Sequence, residues 1–174
     1  MTYLIKIIII GDPGVGKTSL VKQFISEKFA RDYRITIGTN IFAKNLILNT
    51  GEKIKIQLWD IAGQERWVKM RHLYYTGAHG VMMVADVTRK KTFEQLVKFW
   101  KTDLEKYCKD ISITLIANKN DLISEIRKEE IEIIRNDINA SYIFNTSAKD
   151  GTNVDKSFEV LANEIVKNKL KEIK

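Results

Sequence analysis

The chain has a single cysteine, Cys108, among its 174 residues. It cannot close an intrachain disulfide, which excludes a disulfide-stapled secreted scaffold and points to a reducing compartment such as the cytoplasm. One proline, nine glycines and no low-complexity tract argue against a disordered or fibrous chain. Long apolar runs are absent too. The isoleucine run Ile7–Ile10 stops at Gly11, and nothing approaches the roughly 18 apolar residues of a membrane span. The start, Met1–Lys6, has neither a signal-peptide layout nor a glycine at position 2 for myristoylation. The end, Leu170–Lys174, has no cysteine to prenylate. Membrane attachment is therefore expected only if a lipidated tail has been removed.

Charge of one sign is in modest excess, with 29 Lys and Arg against 22 Asp and Glu, a net +7. The basic residues are spread along the chain and do not gather with aromatics. They read as a solvated lysine-rich surface, without a nucleic-acid partner, that still favours an anionic ligand.

The length suits one domain, residues 1–174, and 44% apolar residues suffice for one sizeable core. Leu4–Ile10 is a continuous β-branched run, as in a strand buried on both faces. A helical pattern covers Lys17–Ile25. Ile41–Leu48 and Lys53–Ile61 read as strands joined by the turn Asn49-Thr50-Gly51-Glu52. Gly80–Ala85, Ile113–Ala117 and Tyr142–Asn145 are further strands. Thr92–Tyr107, Glu125–Asp137 and a segment around Val154–Ile165 show helical spacing. The order β-α-β-β-α-β-α-β-α-β-α predicts an α/β fold. It has a six-stranded, mainly parallel sheet with one antiparallel strand and about five helices on both faces. Ligands of such sheets sit beyond the carboxyl ends of the strands, so the chemistry is sought there.

Directly after the first strand comes Gly11-Asp12-Pro13-Gly14-Val15-Gly16-Lys17-Thr18, the spacing of a phosphate-binding loop of a P-loop NTPase. Its glycines let backbone N–H groups point inward at phosphate oxygens, and the following helix, with Ser19 in its first turn, adds its positive end. Lys17 would bridge the outer phosphates and the Thr18 hydroxyl would bind Mg²⁺. Asp60, at the end of a strand, suits a magnesium ligand acting through water. Gly63 offers an N–H that can reach a terminal phosphate, and Gln64 an amide that can hold water.

Asn118-Lys119-Asn120-Asp121 closes the fifth strand. The Asp121 carboxylate can accept from both N–H donors of guanine, N1 and the 2-amino group. Adenine has neither and would leave that charge unpaired. The Lys119 stem can lie along a purine face, and Asn118 can tie this segment to the phosphate loop. Ser147-Ala148-Lys149, after the sixth strand, can place a backbone N–H at guanine O6. A guanine nucleotide, GTP or GDP, is the ligand these residues fit.

With these residues in view, the whole chain resembles a small GTPase of the Ras superfamily, most like the Rab branch. Lys55–Trp67, Tyr74–Gly80 and Asp86-Val87-Thr88 follow the Rab pattern. The resemblance implies that Thr36 binds Mg²⁺ and the terminal phosphate, Phe29 packs across guanine, and Tyr33 sits near the phosphates. It also implies an exchange factor, a GTPase-activating protein and effectors, with Ile41, Trp59 and Tyr74 as effector surface. Three departures stand out: Pro13 in the phosphate loop, Thr39-Asn40-Ile41 where Rabs usually read Val-Asp-Phe, and Ile41 in place of an aromatic.

Gln64 and Lys17 are then the expected catalytic residues of slow GTP hydrolysis. No arginine stands out as a built-in finger; Arg31, Arg34, Arg66 and Arg71 read as surface residues. A nucleotide kinase is the competing enzyme reading, but the chain has no insertion long enough for a lid. A scaffold that holds nucleotide without hydrolysing it is the competing binding reading, against which Gln64 and Thr36 both speak. Trp67 is expected to report a nucleotide-dependent change, with Trp59 on a strand and Trp100 on a helix stripe less responsive.

Overall fold

A computed structural model describes residues 2–26, 38–63 and 68–172. The strands are β1 (Thr2–Ile10), β2 (Thr39–Ile47), β3 (Lys53–Ile61), β4 (Gly80–Asp86), β5 (Ser112–Asn118) and β6 (Tyr142–Thr146). The helices are α1 (Lys17–Ser26), α2 (Val68–Tyr75), α3, α4 (Lys128–Asp137) and α5 (Val154–Glu172). Helix α3 is α-helical over Lys90–Gln95, π-helical over Leu96–Lys101 and α-helical again over Thr102–Glu105.

The sheet order is β2-β3-β1-β4-β5-β6. Only β2 runs antiparallel, paired to β3 from Thr39 opposite Ile61 to Ile47 opposite Lys53. The hairpin closes through Gly51, whose φ of +92° suits a residue without Cβ. Strands β4 and β5, and β1 from Ile7 on, are buried on both faces, which is why they read as apolar runs, while β3 alternates buried and exposed residues. Alternate side chains of β1 enter two cores. Ile5, Ile7 and Ile9 pack with α1 and α5, while Ile8 and Ile10 pack with α2, α3 and α4.

Element boundaries differ from the sequence expectation at a few ends. Helix α4 starts at Lys128 rather than Glu125, because Arg127 is extended at the N-cap and Glu130 Oε2 accepts its backbone N–H at 3.1 Å. Helix α3 starts two residues early and ends at Glu105, before Tyr107. Strand β5 extends to Asn118 and β6 to Thr146, carrying the last residue of each into the site.

Candidate functional site

The carboxyl ends of β1, β3, β4, β5 and β6 lie side by side, so the loops that leave them converge. In the loop after β1, Gly14 and Gly16 take φ values of +74° and +102°, conformations that disfavour any side chain. A Cβ at Gly16 would also collide with the Asn118 amide. Lys17 begins α1 and is buried. Its ammonium turns back to donate to the carbonyls of Gly11 at 2.7 Å and Asp12 at 2.9 Å. Burial pulls its pKa down to about 8, against the opposing charges of Asp60 and Asp12. A buried cation that donates to neutral carbonyls is stabilised further by a bound anion.

Thr18 donates to Asp60 Oδ2 at 2.5 Å. Asp60 is fully buried, and its Oδ1 accepts no hydrogen bond of normal geometry among the described residues. Burial raises its pKa, opposed by the Thr18 hydrogen bond and the Lys17 charge. A buried carboxylate beside a hydroxyl is a hard-oxygen donor set, and it fits a magnesium ion that completes its shell with water and phosphate. Gly63 closes the same corner. A Cβ there would come within 2.6 Å of Gly11 O and of Pro13 N, so the backbone packs directly on the phosphate loop.

Asn118 is buried and joins three segments. Its Nδ2 donates to Val15 O at 2.8 Å, and its Oδ1 accepts from Thr146 Oγ1 at 3.0 Å and from the Ala148 N–H at 3.3 Å. Asp121 Oδ1 accepts from Ser147 Oγ at 2.7 Å, and Lys149 Nζ stands 3.9 Å from Oδ2. The carboxylate is thereby held at the rim between the β5 and β6 loops. Lys119 adopts φ +67°, and its ammonium meets Asp86 Oδ2 at 2.6 Å. Pro13 is exposed, and Ser19 is half-buried in the first turn of α1.

Two features escape a reading along the chain. The Asp12 side chain does not face into the loop: its Oδ1 accepts from the Trp100 indole at 2.8 Å. Trp100 is on the apolar stripe of α3, as expected, yet its ring edge reaches the phosphate loop. The π-helical turn over Leu96–Lys101 widens the helix where this indole is presented. The expectation of a solvated Arg71 is corrected: it is fully buried. Its guanidinium lies 4.4 Å from the Trp100 ring centroid and 3.5 Å from Asp103 Oδ2, to which the Tyr75 hydroxyl also donates. Neither feature has a local signal, since each joins segments far apart in the chain.

Ile41 and Trp59 are cross-strand neighbours, and the Trp59 and Tyr74 rings lie 6.4 Å apart. The three share one face at the β2–β3 edge, with Ile41 55% exposed. Phe29, Tyr33, Thr36, Gln64 and Trp67, with Arg31, Arg34 and Arg66, lie outside the described residues. Among the described residues, no helix is long and apolar enough to cross a membrane.

The Ras family matches residues 6–167 of the chain. A Rab-1A protein of Dictyostelium discoideum is 37% identical over 97% of this chain and 83% of its own length. A Rab-1 protein of Theileria annulata is 39% identical over 92% of the chain and 73% of its own. The RABA5b protein of Arabidopsis thaliana is 40% identical over 95% and 76%. Similarity of this extent, on a sheet whose loops gather a phosphate loop, a strand-end aspartate and a guanine-type loop, establishes the relationship. The chain belongs to the Ras family and is a small GTPase of the Rab branch, a hydrolase acting on GTP.

Proposed function

We propose that the protein is a switch that binds GTP and GDP with Mg²⁺, hydrolyses GTP slowly, and acts in vesicle or membrane traffic. The observation that carries this reading is the meeting of Lys17, the Thr18–Asp60 pair and Asp121 at the carboxyl end of the sheet, cross-linked by Asn118. Lys17 and the N–H groups of Asp12 and of residues 14–18 hold the phosphates. Asp121 accepts from N1 and the 2-amino group of guanine, the Lys119 stem and Phe29 cover the base, and an N–H of Ser147-Ala148-Lys149 meets O6. Tyr33 stands near the phosphates. Thr18, Thr36 and, through water, Asp60 hold the ion, which neutralises charge on the outer phosphates when bound.

Gln64 orients the attacking water. Lys17 stabilises charge on the transferring group together with the Gly63 N–H, which donates to the terminal phosphate. That donation orders the chain around Gly63, as Thr36 orders its own segment, and hydrolysis releases both. Ile41, Trp59 and Tyr74 then form the surface that effectors read. An activating protein and an exchange factor set the two rates. The traffic role rests on the Rab-named relatives.

The test compares binding of GDP and ADP at saturating Mg²⁺, with Asp121→Asn and xanthosine diphosphate as the companion pair. Strong preference for GDP, transferred to the xanthine nucleotide by the variant, is expected. Equal binding of ADP and GDP by the native chain would overturn the reading. Single-turnover phosphate release that is unchanged in Gln64→Leu would remove Gln64 from its role.

A further inference from the structure

Asp86 ends β4, between the phosphate loop on β1 and the base loop on β5. Its carboxylate is nearly inaccessible, with a side-chain exposure of 2%. Oδ1 accepts from the N–H and the hydroxyl of Thr88 at 2.9 and 2.7 Å. Oδ2 is shared by two cations, Lys119 Nζ at 2.6 Å and Arg89 Nε at 3.0 Å. Burial alone would raise the Asp86 pKa, but the hydrogen bonds from Lys119 and Thr88 outweigh it and hold the group below its usual range. Arg89 then reaches further: its Nη2 donates to the Pro13 carbonyl at 3.1 Å. The contacts form an unbroken line, Lys119–Asp86–Arg89–Pro13, from one loop to the other.

We infer that Arg89 is a positioning residue that clasps the phosphate loop to the base loop through Asp86, and so sets how long a nucleotide spanning both loops is retained. The inference rests on the nucleotide reading above and adds a residue that reading does not use. Pro13 has no N–H and a fixed φ, so its carbonyl is the one backbone polar group it offers to a clamp. An exposed ion pair alone is worth little. Here, though, the acid is buried, and the rigid guanidinium plane reaches two acceptors from two separate nitrogens, Nε to Asp86 and Nη2 to Pro13, whereas a lysine would have to reach both from one atom. A ligand bound at both ends leaves slowly only while the separation of the two loops is held. If that hold is lost, its ends can release one at a time.

The experiment measures release of N-methylanthraniloyl-GDP from the full chain by chase with excess GDP and Mg²⁺. Arg89 is 44% exposed on its side chain, so its replacement leaves the core untouched. Release from Arg89→Gln should be faster by roughly tenfold, the scale of one charge-assisted hydrogen bond. Arg89→Lys should recover part of the native rate. Pyrophosphate, which engages the phosphate loop alone, should compete with an affinity within about twofold of native, a readout that general loosening of that loop would move. Release from Arg89→Gln at the native rate, or a pyrophosphate affinity weakened in step with that of GDP, would overturn the clasp. A native chain that binds GDP no better than ADP would instead bring down the nucleotide reading, and the clasp with it.

Discussion

The two faces of the sheet are packed with different chemistry. On the α1/α5 face, Phe24 and Phe158 stack with ring centroids 4.2 Å apart among Leu, Ile and Val side chains. On the α2/α3 face, the same strands meet a buried Arg71, with Asp103, Tyr75 and Trp100 around it. Hydrocarbon packing is non-directional and tolerates no alternative partner except another apolar group. A buried charge is satisfied only in one arrangement, and moving α2 would strand it. The apolar face therefore supplies stability. The polar face ties α2, through Trp100, to Asp12 of the phosphate loop.

The largest expected effect tests the apolar face. Phe158→Ala should cost about 3–5 kcal/mol of unfolding free energy in a denaturant titration, with the guanine-over-adenine preference retained. Loss of that preference in the folded variant would break the comparison, because the apolar face would then be shaping the site. Next comes Arg71→Met, which removes the buried counter-charge of Asp103. It should cost about 3 kcal/mol, and a second change, Asp103→Asn, should restore part of that. An Arg71→Met single variant as stable as native would mean that the buried cation holds nothing in place.

Trp100→Phe keeps an aromatic ring under Arg71 but removes the donor to Asp12. About 1–2 kcal/mol should be lost, less than for either change above. The same contact gives Trp100, expected to respond less than Trp67, a route to the nucleotide site of its own. In a Trp59→Phe, Trp67→Phe background, emission from Trp100 should change when nucleotide is removed, and a constant spectrum would uncouple it from the loop.

The smallest effect lies outside both cores. Glu130 is held down to about 2 by hydrogen bonds from the Lys90 ammonium and the Arg127 backbone N–H and side chain. A carboxylate depressed in the folded state adds stability above its unfolded pKa and loses it as pH falls through the folded value. The gap in thermal midpoint between native and Glu130→Gln should thus be present at neutral pH, shrink below about pH 4.5, and vanish near pH 2. A gap that does not depend on pH would assign the effect to the capping geometry and not to the charge.

Much of the site was legible because its chemistry is local. A loop of fixed spacing between Ile10 and α1 needs glycines at φ +74° and +102°, and those glycines stand two residues apart in one short segment. Asp121 sits three residues beyond the end of β5, and Asp60 near the end of β3, positions that the apolar strand segments before them reveal. The Asp12–Trp100 contact joins residues 88 apart, and the Arg89–Pro13 contact residues 76 apart. No periodicity or turn rule relates such positions. Arg71 was misread for the same reason, since a lone arginine in a polar helix segment carries no sign that an aromatic ring and a carboxylate await it.

What the sequence determined by itself is the strand–helix order, the phosphate-loop backbone and the base-reading carboxylate, all of which follow from spacings shorter than one element. The tertiary structure alone decided which strand ends become neighbours. Placing β1 between β3 and β4 brings Asp60 to Thr18 on one side and Asp86 with Arg89 to Pro13 on the other. It also decided that the α2/α3 core buries the Arg71–Asp103 pair, while the buried charges on the α1/α5 face, Lys17 and Asp60, lie only where that face meets the phosphate loop. The physical reason is that hydrogen bonds and ion pairs act over about 3 Å, so their partners exist only once packing has brought distant segments together.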